Sequence, residues 1–257
     1  MGGLMLKLLI QDRVFTPFAV CGVPVRLQTS ALSLPMSVAA VELITGRHGW
    51  ESAGFALLFI LLLYACGLLH ELGHVLPARA TGATVTQVRL SGMGLFVQIR
   101  GPHLSRSSHE LLIALGGPLV SALLACGLGI VAWRLSGENT FATGLWPSVM
   151  GILVQRNARA MLMLLAVSNA LLAIFNLLPA FPMDGGRALS ALLALFLAPP
   201  RAAILVASLG QIMAVAMLTT ALLAQNWPLT VLVLPTAGFV FWVSWQERRH
   251  RCEQPAI

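Results

Sequence analysis

The class of fold follows from one stretch, "ALLFILLLYACGLLHELGHVLPARA", at residues 56–80. It is mostly apolar and exceeds the ~20 residues that cross the ~30 Å hydrocarbon core of a bilayer as a helix. Near its end lie two histidines and a glutamate, His70, Glu71 and His74. An ionisable side chain in hydrocarbon costs at least ~2.5 kcal/mol, so three of them this close together indicate a function.

The composition of the whole chain agrees with a membrane protein. Of the 257 residues, 58% are hydrophobic and only 10% are charged, and the mean hydropathy is +0.85. Soluble domains carry about 25% charged residues. A soluble core of this size does not hide so much apolar surface, so lipid is the solvent for much of the chain. We therefore expect the chain to cross a cell membrane several times.

The positive charge and the cysteines point to no other class of protein. The net charge of +7 is explained by the arginines and lysines that membrane proteins carry in cytoplasmic loops. No basic patch with interleaved aromatic residues is present, so no nucleic-acid partner is expected. The four cysteines form no Cys-x-x-Cys pair, which argues against a disulfide framework and a cysteine zinc site.

The apolar runs predict an all-α membrane protein of about six transmembrane helices, with a small β-hairpin between the second and third. The hairpin is predicted at 82–101, which is rich in β-branched residues, and a further strand at 23–28. A short helix, "GRALSALLALFLA", is predicted between the fourth and fifth spans. The spans themselves are predicted at about 30–46, 54–76, 110–134, 160–179, 201–224 and 229–246.

The distribution of arginine and lysine predicts how the chain is oriented. With six spans and a cytoplasmic N-terminus, twelve of the sixteen Arg and Lys residues lie inside. Only Arg47, Arg134, Arg156 and Arg159 then lie outside. Since cytoplasmic loops carry the excess of these residues, both termini and the opening of the active site are predicted on the cytoplasmic side. We interpret residues 1–257 as one polytopic membrane domain.

His70 and His74 are four residues apart, so on a helix they project from one face, about 6 Å apart along the axis. Two imidazoles in this arrangement suit one shared metal ion. His-Glu-x-x-His on a helix is the pattern of zinc metalloproteases, with the glutamate, here Glu71, as general base. The alternative is that these residues make polar contacts between helices or form part of a proton path.

A catalytic zinc ion has three protein ligands and an open position, so a third ligand is expected elsewhere in the chain. The chain contains only two aspartates, and one of them, Asp184, follows the fourth span after two prolines. The neighbouring Gly185 and Gly186 permit the chain to turn back toward the helices. Asp-Gly-Gly alone is an ordinary turn sequence. With His70 and His74 present, a ligand role for Asp184 is favoured.

Together these motifs resemble the site-2 protease family of intramembrane zinc metalloproteases. The residues that carry the resemblance are "HELGH" at 70–74, "GGP" at 116–118 and "NLLPAFPMDGG" at 176–186. The resemblance runs in order from "GVPVRLQ" at 22–28 to the final span. With neither a PDZ insertion nor a CBS pair, the chain is similar to a compact bacterial branch. One departure is Ser121, where the family commonly has asparagine.

The resemblance implies an enzyme with one Zn²⁺ per chain, held by His70, His74 and Asp184, and with Glu71 activating water. The implied reaction cleaves a peptide bond within or beside the transmembrane segment of a single-span membrane protein. The catalytic core would lie at about 54–186, and a regulatory membrane partner would control timing. The non-enzyme alternative is a transporter or proton-conducting protein that uses the same ionisable side chains as a relay.

The resemblance also implies further residues of the cleft. Asn169 and Asn176 are seven residues apart on the predicted helix before Asp184, so they share one face. The family associates such asparagines with the active site, and hydrogen bonding between helices is the alternative. The motif Gly116, Gly117 and Pro118 would shape the third span near the cleft. We further hypothesise that the hairpin pairs with extended substrate as an added strand.

Overall fold

The computed structural model describes residues 14–38, 49–91, 94–101, 107–135, 156–225 and 227–253. The strands are β1 (Val14–Val20), β2 (Val23–Gln28), β3 (Thr84–Ser91) and β4 (Gly94–Arg100). The helices are α1 (Gly49–Ala80), α2 (Ser107–Arg134), α3 (Ala158–Asn176), α4 (Asp184–Leu193), α5 (Pro199–Leu223) and α6 (Trp227–Glu253). A 3₁₀ turn at Thr29–Leu32 leads into a helical stretch at 33–38.

As far as the residues are described, four of these helices are long and apolar enough to cross a membrane. They are α1 from Glu51, α2, α3 and α5, and they correspond to the spans predicted second, third, fourth and fifth. The last predicted span, 229–246, lies within α6, which is outside this set of four. The first predicted span, 30–46, is described only as far as residue 38, and its remainder lies outside the described residues. The chain is therefore a mostly helical, multi-pass membrane protein with a small β-sheet.

Local sequence explains the type of each element. Leucine and alanine, which are strong helix formers, fill α1 on either side of its histidines. Pro77 lies inside α1, and the helix continues past it to Ala80. Valine, threonine, leucine and phenylalanine fill β3 and β4, and such residues pack well on a pleated surface.

The four strands form one sheet in the order β1-β2-β3-β4. The outer pairs, β1 with β2 and β3 with β4, are antiparallel, whereas β2 and β3 are parallel. The strand predicted at 23–28 is therefore present as β2. Val88 of β3 lies opposite Val97 of β4, and β4 forms one edge of the sheet as far as the described residues go.

The chain divides into two compact units. The first contains the four strands, α1 as far as Val75, α2 from Val120 and α3 as far as Leu171. In this unit the sheet packs on α1 through a cluster built on Val23, Val75 and Val88, and α1 meets α2 and α3 around Cys66, Met161 and Leu165.

The second unit contains the other described residues, including α4, α5 and α6. Helices α5 and α6 pack along each other, and α4 packs on α5. Small residues dominate the core of this unit, which lets the helix backbones approach closely, as is common in membrane proteins. The buried members of that core are Ala180, Ala214, Ala237 and Val240.

Candidate metal centre

Helix α1 brings the two histidines of the sequence motif together. The ring centroids of His70 and His74 are 5.2 Å apart, and the rings are nearly perpendicular, at 81°. Both side chains are buried, with 4% and 2% of their surface exposed. Since water hardly reaches them, they depend on protein or metal partners for their polar nitrogens. The geometry matches the shared face that their spacing predicts.

Asp184, the first residue of α4, completes a set of three metal-binding side chains. One ligand atom from each of His70, His74 and Asp184 lies within 4.8 Å of the other two. Zinc binds nitrogen and oxygen donors at ~2.0–2.2 Å, so two ligand atoms of one ion are at most ~4.4 Å apart. The 4.8 Å limit for these three atoms is slightly wider than that range. Two imidazoles and one carboxylate are also a donor set that zinc accepts.

Gly185 and Gly186 serve close packing at the start of α4. A Cβ atom built on Gly185 would clash with the carbonyl group of Leu177. One built on Gly186 would lie 2.6 Å from the carbonyl group of Ala180. Both glycines are helical, and neither belongs to the positive-φ glycines of the described chain. The turn expected from Asp-Gly-Gly is therefore made by the residues before Asp184, and the glycines allow α4 to begin directly against that turn.

The turn before Asp184, residues 177–183, is supported by α5 and α6. The Ser244 hydroxyl of α6 donates a hydrogen bond of 3.1 Å to the carbonyl oxygen of Phe181. Gly210 of α5 lies so close that a Cβ atom there would meet both the Ser244 hydroxyl and the Ala180 side chain. These contacts fix the backbone that positions the Asp184 carboxylate.

One ring nitrogen of His70 is bound by α2. Nδ1 of His70 lies 2.8 Å from the hydroxyl oxygen of Ser121, and Ser121 is fully buried. Histidines that bind metals almost always use their second ring nitrogen for such a hydrogen bond, which fixes the tautomer and the orientation of the ring. With Nδ1 in this hydrogen bond, Nε2 is the nitrogen of His70 that would bind a metal ion.

The carboxylate of Glu71 is bound by the β-sheet. Oε2 of Glu71 accepts a hydrogen bond of 2.7 Å from the backbone N–H of Val97 in β4. Glu71 is next to His70 along α1, so this contact orients its carboxylate beside the histidines.

Asp184 also lies beside a cation. Nη1 of Arg187, one turn further along α4, is 3.5 Å from Oδ1 of Asp184. The same guanidinium donates at 2.9 Å and 2.8 Å from Nε and Nη2 to Oε1 of Glu110 in α2. Arg187 is thus tied to Glu110 and makes only a long contact with Asp184. A carboxylate has about four lone-pair sites, so this contact with Arg187 is compatible with binding a metal ion.

The remaining predicted cleft residues lie inside helices. Asn169 and Asn176 both belong to α3, and the side-chain amide of each donates to the carbonyl oxygen four residues earlier in that helix. Asn169 is fully buried, and its Oδ1 has no hydrogen-bond partner among the described residues. Gly116, Gly117 and Pro118 all lie within α2, where Pro118 is fully buried.

Sequence reasoning missed the roles of Ser121, Val97 and the pair of Arg187 with Glu110. In the sequence Ser121 is only a departure from a family pattern, and nothing there links it to His70. Val97 contributes a backbone N–H, which no residue type reveals. Arg187 carried a usable signal, because a cation three residues after an aspartate on a helix lies on the same face.

Comparison with known proteins now adds to this geometry. Residues 58–219, more than half of the chain, match peptidase family M50. The chain belongs to peptidase family M50. The matched range of this M50 chain contains His70, Glu71, His74 and Asp184.

Individual relatives agree with the M50 assignment. A zinc metalloprotease of Methanocaldococcus jannaschii is 28% identical over 233 residues, covering 90% of this chain. The solved structure of a site-2 protease from the same organism superposes with a TM-score of 0.60 at 27% identity, covering 92% of this chain and 96% of that one. The M50 chain spans 60% of the length of the first relative and 37% of a relative from Synechocystis that is 29% identical over 161 residues.

Proposed function

We propose that this chain is an intramembrane zinc metalloprotease that hydrolyses a peptide bond within or near the transmembrane segment of another membrane protein. The observation that carries the proposal is the grouping of His70, His74 and Asp184, whose ligand atoms lie within 4.8 Å of one another. Glu71, beside the first histidine, adds a carboxylate where a general base is needed. Membership of peptidase family M50 supports the same activity.

In this proposal His70, His74 and Asp184 hold one zinc ion, which supplies Lewis-acid polarisation and stabilises negative charge on the reacting carbonyl. Glu71 accepts a proton from water while the water oxygen bonds to the carbonyl carbon of the scissile peptide. The C–N bond then breaks as Glu71 passes that proton to the leaving amine. The Ser121 hydroxyl orients His70 for these steps, and the Val97 N–H holds the Glu71 carboxylate beside the histidines before substrate binds.

We assign the cleft to residues of α2 and α3. The unpartnered Oδ1 of buried Asn169 offers an acceptor for a substrate N–H. A buried carbonyl oxygen with no hydrogen-bond partner among the described residues costs about 1–3 kcal/mol, which substrate binding would recover. Asn176 lies two helical turns further along the same face. Gly116, Gly117 and Pro118 would shape the wall of the cleft on α2.

The wider topology is part of the proposal. We propose one membrane metalloprotease domain over 1–257, with a catalytic core at about 54–186, about six spans, and both termini and the active-site opening on the cytoplasmic side. The substrate is a single-span membrane protein whose helix unwinds locally, because a helix hides its carbonyl groups in its own hydrogen bonds. A regulatory membrane partner would control when the substrate enters.

The unwound substrate would pair with the outer edge of β4 as an added strand. We expect Ile99→Pro to lower cleavage of such a substrate at least several-fold, because proline removes one backbone N–H from that edge. Cleavage assays and zinc analysis of the purified protein check this. Unchanged cleavage by a folded, zinc-loaded variant would remove the strand-pairing step from the proposal.

The activity itself is tested by metal removal. Purified protein in lipid vesicles, together with single-span membrane proteins, should cleave one or more of them, and a zinc chelator should stop cleavage until zinc is restored. A transporter or proton-conducting protein with the same side chains needs no zinc and cleaves nothing. Vesicles that conduct protons equally well with and without chelator, with no cleavage product, would favour that alternative.

Ser121→Ala tests whether the hydroxyl supports the metal ligand. Because loss of such an outer partner lowers metal affinity by about 10–100-fold, we expect zinc to bind that much more weakly. The measurement is a competition titration with a zinc-binding dye. Ser208→Ala is the matched control, since among the described residues the Ser208 hydroxyl bonds to the Ile204 carbonyl in its own helix. Equal zinc affinity in the two variants would contradict the assigned role.

A further inference from the structure

The outer edge of β4 offers a row of backbone groups. The hydroxyl of Thr86 in β3 donates at 3.0 Å to the carbonyl oxygen of Gln98, so Gln98 directs its backbone groups toward β3. Successive residues of a strand direct their N–H and C=O groups to opposite sides. The N–H groups of Val97 and Ile99 therefore point away from β3, toward the edge. No other strand covers this edge within the described part of the chain.

One of these edge groups is already used by the predicted base. The Val97 N–H donates to Oε2 of Glu71 at 2.7 Å, a short hydrogen bond to a carboxylate oxygen. A backbone N–H is a single donor, so it cannot make a second full hydrogen bond at the same time. Any peptide that pairs with the whole edge of β4 needs this donor for one of its own carbonyl groups.

We propose that Glu71 and an extended peptide compete for the Val97 N–H, so that pairing of the peptide with β4 transfers this donor from the carboxylate to a peptide carbonyl. This inference rests on the proposed function, in which Glu71 is the general base. Before a peptide arrives, Glu71 is held against the edge strand. After pairing, its carboxylate lies beside the peptide residue opposite Val97 and no longer bonds to that N–H.

The exchange has two consequences for the reaction. It couples release of the carboxylate from β4 to occupation of the edge by an extended chain, which a helical segment cannot provide. It also makes Val97 the position that sets the register, because the peptide residue paired with it is the one beside Glu71. Main-chain pairing thereby selects the bond to be cleaved without reading the peptide's side chains.

A double-mutant cycle tests the competition. The probe is a short fluorescein-labelled peptide of alternating valine and threonine, and its binding to the zinc-loaded, full-length protein in detergent is measured by fluorescence anisotropy. Mass spectrometry verifies that the probe stays intact. We expect Glu71→Ala to bind the probe about tenfold more tightly than the wild type, because a competing charged acceptor has been removed. In a Val97→Pro background, the same Glu71→Ala change should have no effect on affinity.

Ile99→Pro is the matched control, because it removes an edge N–H that Glu71 does not use. It should weaken probe binding yet leave the tenfold gain from Glu71→Ala intact. A gain that persists in the Val97→Pro background would overturn the proposal, since it would reflect only the charge of Glu71. The proposal would also be overturned if Glu71→Ala did not tighten probe binding in the protein that retains Val97.

Proline is tolerated in an edge strand at positions whose N–H points away from the sheet, so the proline variants should fold. If they do not, hydrogen exchange of the Val97 amide tests the proposal. The Val97 amide should exchange faster in Glu71→Ala than in the wild type, and the probe should restore its protection. If Glu71→Ala leaves the protection of the Val97 amide unchanged, the proposed competition for this N–H is wrong. Failure of the protease proposal is separate: it appears as chelator-insensitive or absent cleavage of membrane substrates, whatever the binding cycle gives.

Discussion

Cleavage should fall by about 10²–10⁴-fold when Glu71 is replaced by glutamine, because that is what a positioned general base contributes. The substitution keeps the size of the side chain, and the glutamine oxygen can still accept the hydrogen bond from Val97. It removes only the ability to take a proton from water. Zinc content should therefore stay at one ion per chain, as measured by elemental analysis of the purified protein alongside the cleavage assay.

Glu253→Gln provides the control for this change. Glu253 lies exposed at the end of α6, and its partner within the described ranges is Arg249, one turn away, so neither cleavage nor zinc content should change. The inactive Glu71→Gln protein should also retain uncleaved substrate when it is co-expressed with candidate single-span proteins. Turnover within tenfold of the wild type would remove Glu71 from the role of base.

Much of the helical architecture could be predicted, because the signal is local. A run of about twenty apolar residues crosses lipid as an α-helix, because the helix satisfies all of its backbone hydrogen bonds internally. Each of the four runs predicted from 54–76 to 201–224 corresponds to a helix. The spacing of His70 and His74 predicted their approach for the same reason, since both lie on one helix. The sixth predicted span, 229–246, also lies within one helix, α6.

Contacts between distant segments could not be predicted from residue types. His70 meets Ser121 across 51 positions, and Arg187 meets Glu110 across 77. Such partners are chosen by the packing of whole helices, which no local pattern encodes. The same limit applies to Gly185, whose need for a missing Cβ comes from the nearby Leu177 backbone and was interpreted from sequence as freedom to turn.

Asp184→Asn should abolish cleavage by a different route from Glu71→Gln, because it removes a metal ligand. An amide keeps the shape of the side chain but binds zinc poorly. Since loss of an outer partner alone costs about 10–100-fold in affinity, loss of a ligand should lower zinc affinity by more than about 100-fold. Cleavage should then fall together with zinc content, and excess zinc should restore part of both.

The contacts around Asp184 make it possible to distinguish loss of the metal from misfolding in this test. Arg187 keeps its 2.8 Å and 2.9 Å contacts with Glu110 when the aspartate is neutralised, so α4 should remain in place and thermal unfolding of the metal-free protein should change little. Any loss of function is then attributable to the metal and not to misfolding. If Asp184→Asn binds zinc and cleaves substrate as the wild type does, the third ligand must be another group, and the proposed metal centre is wrong.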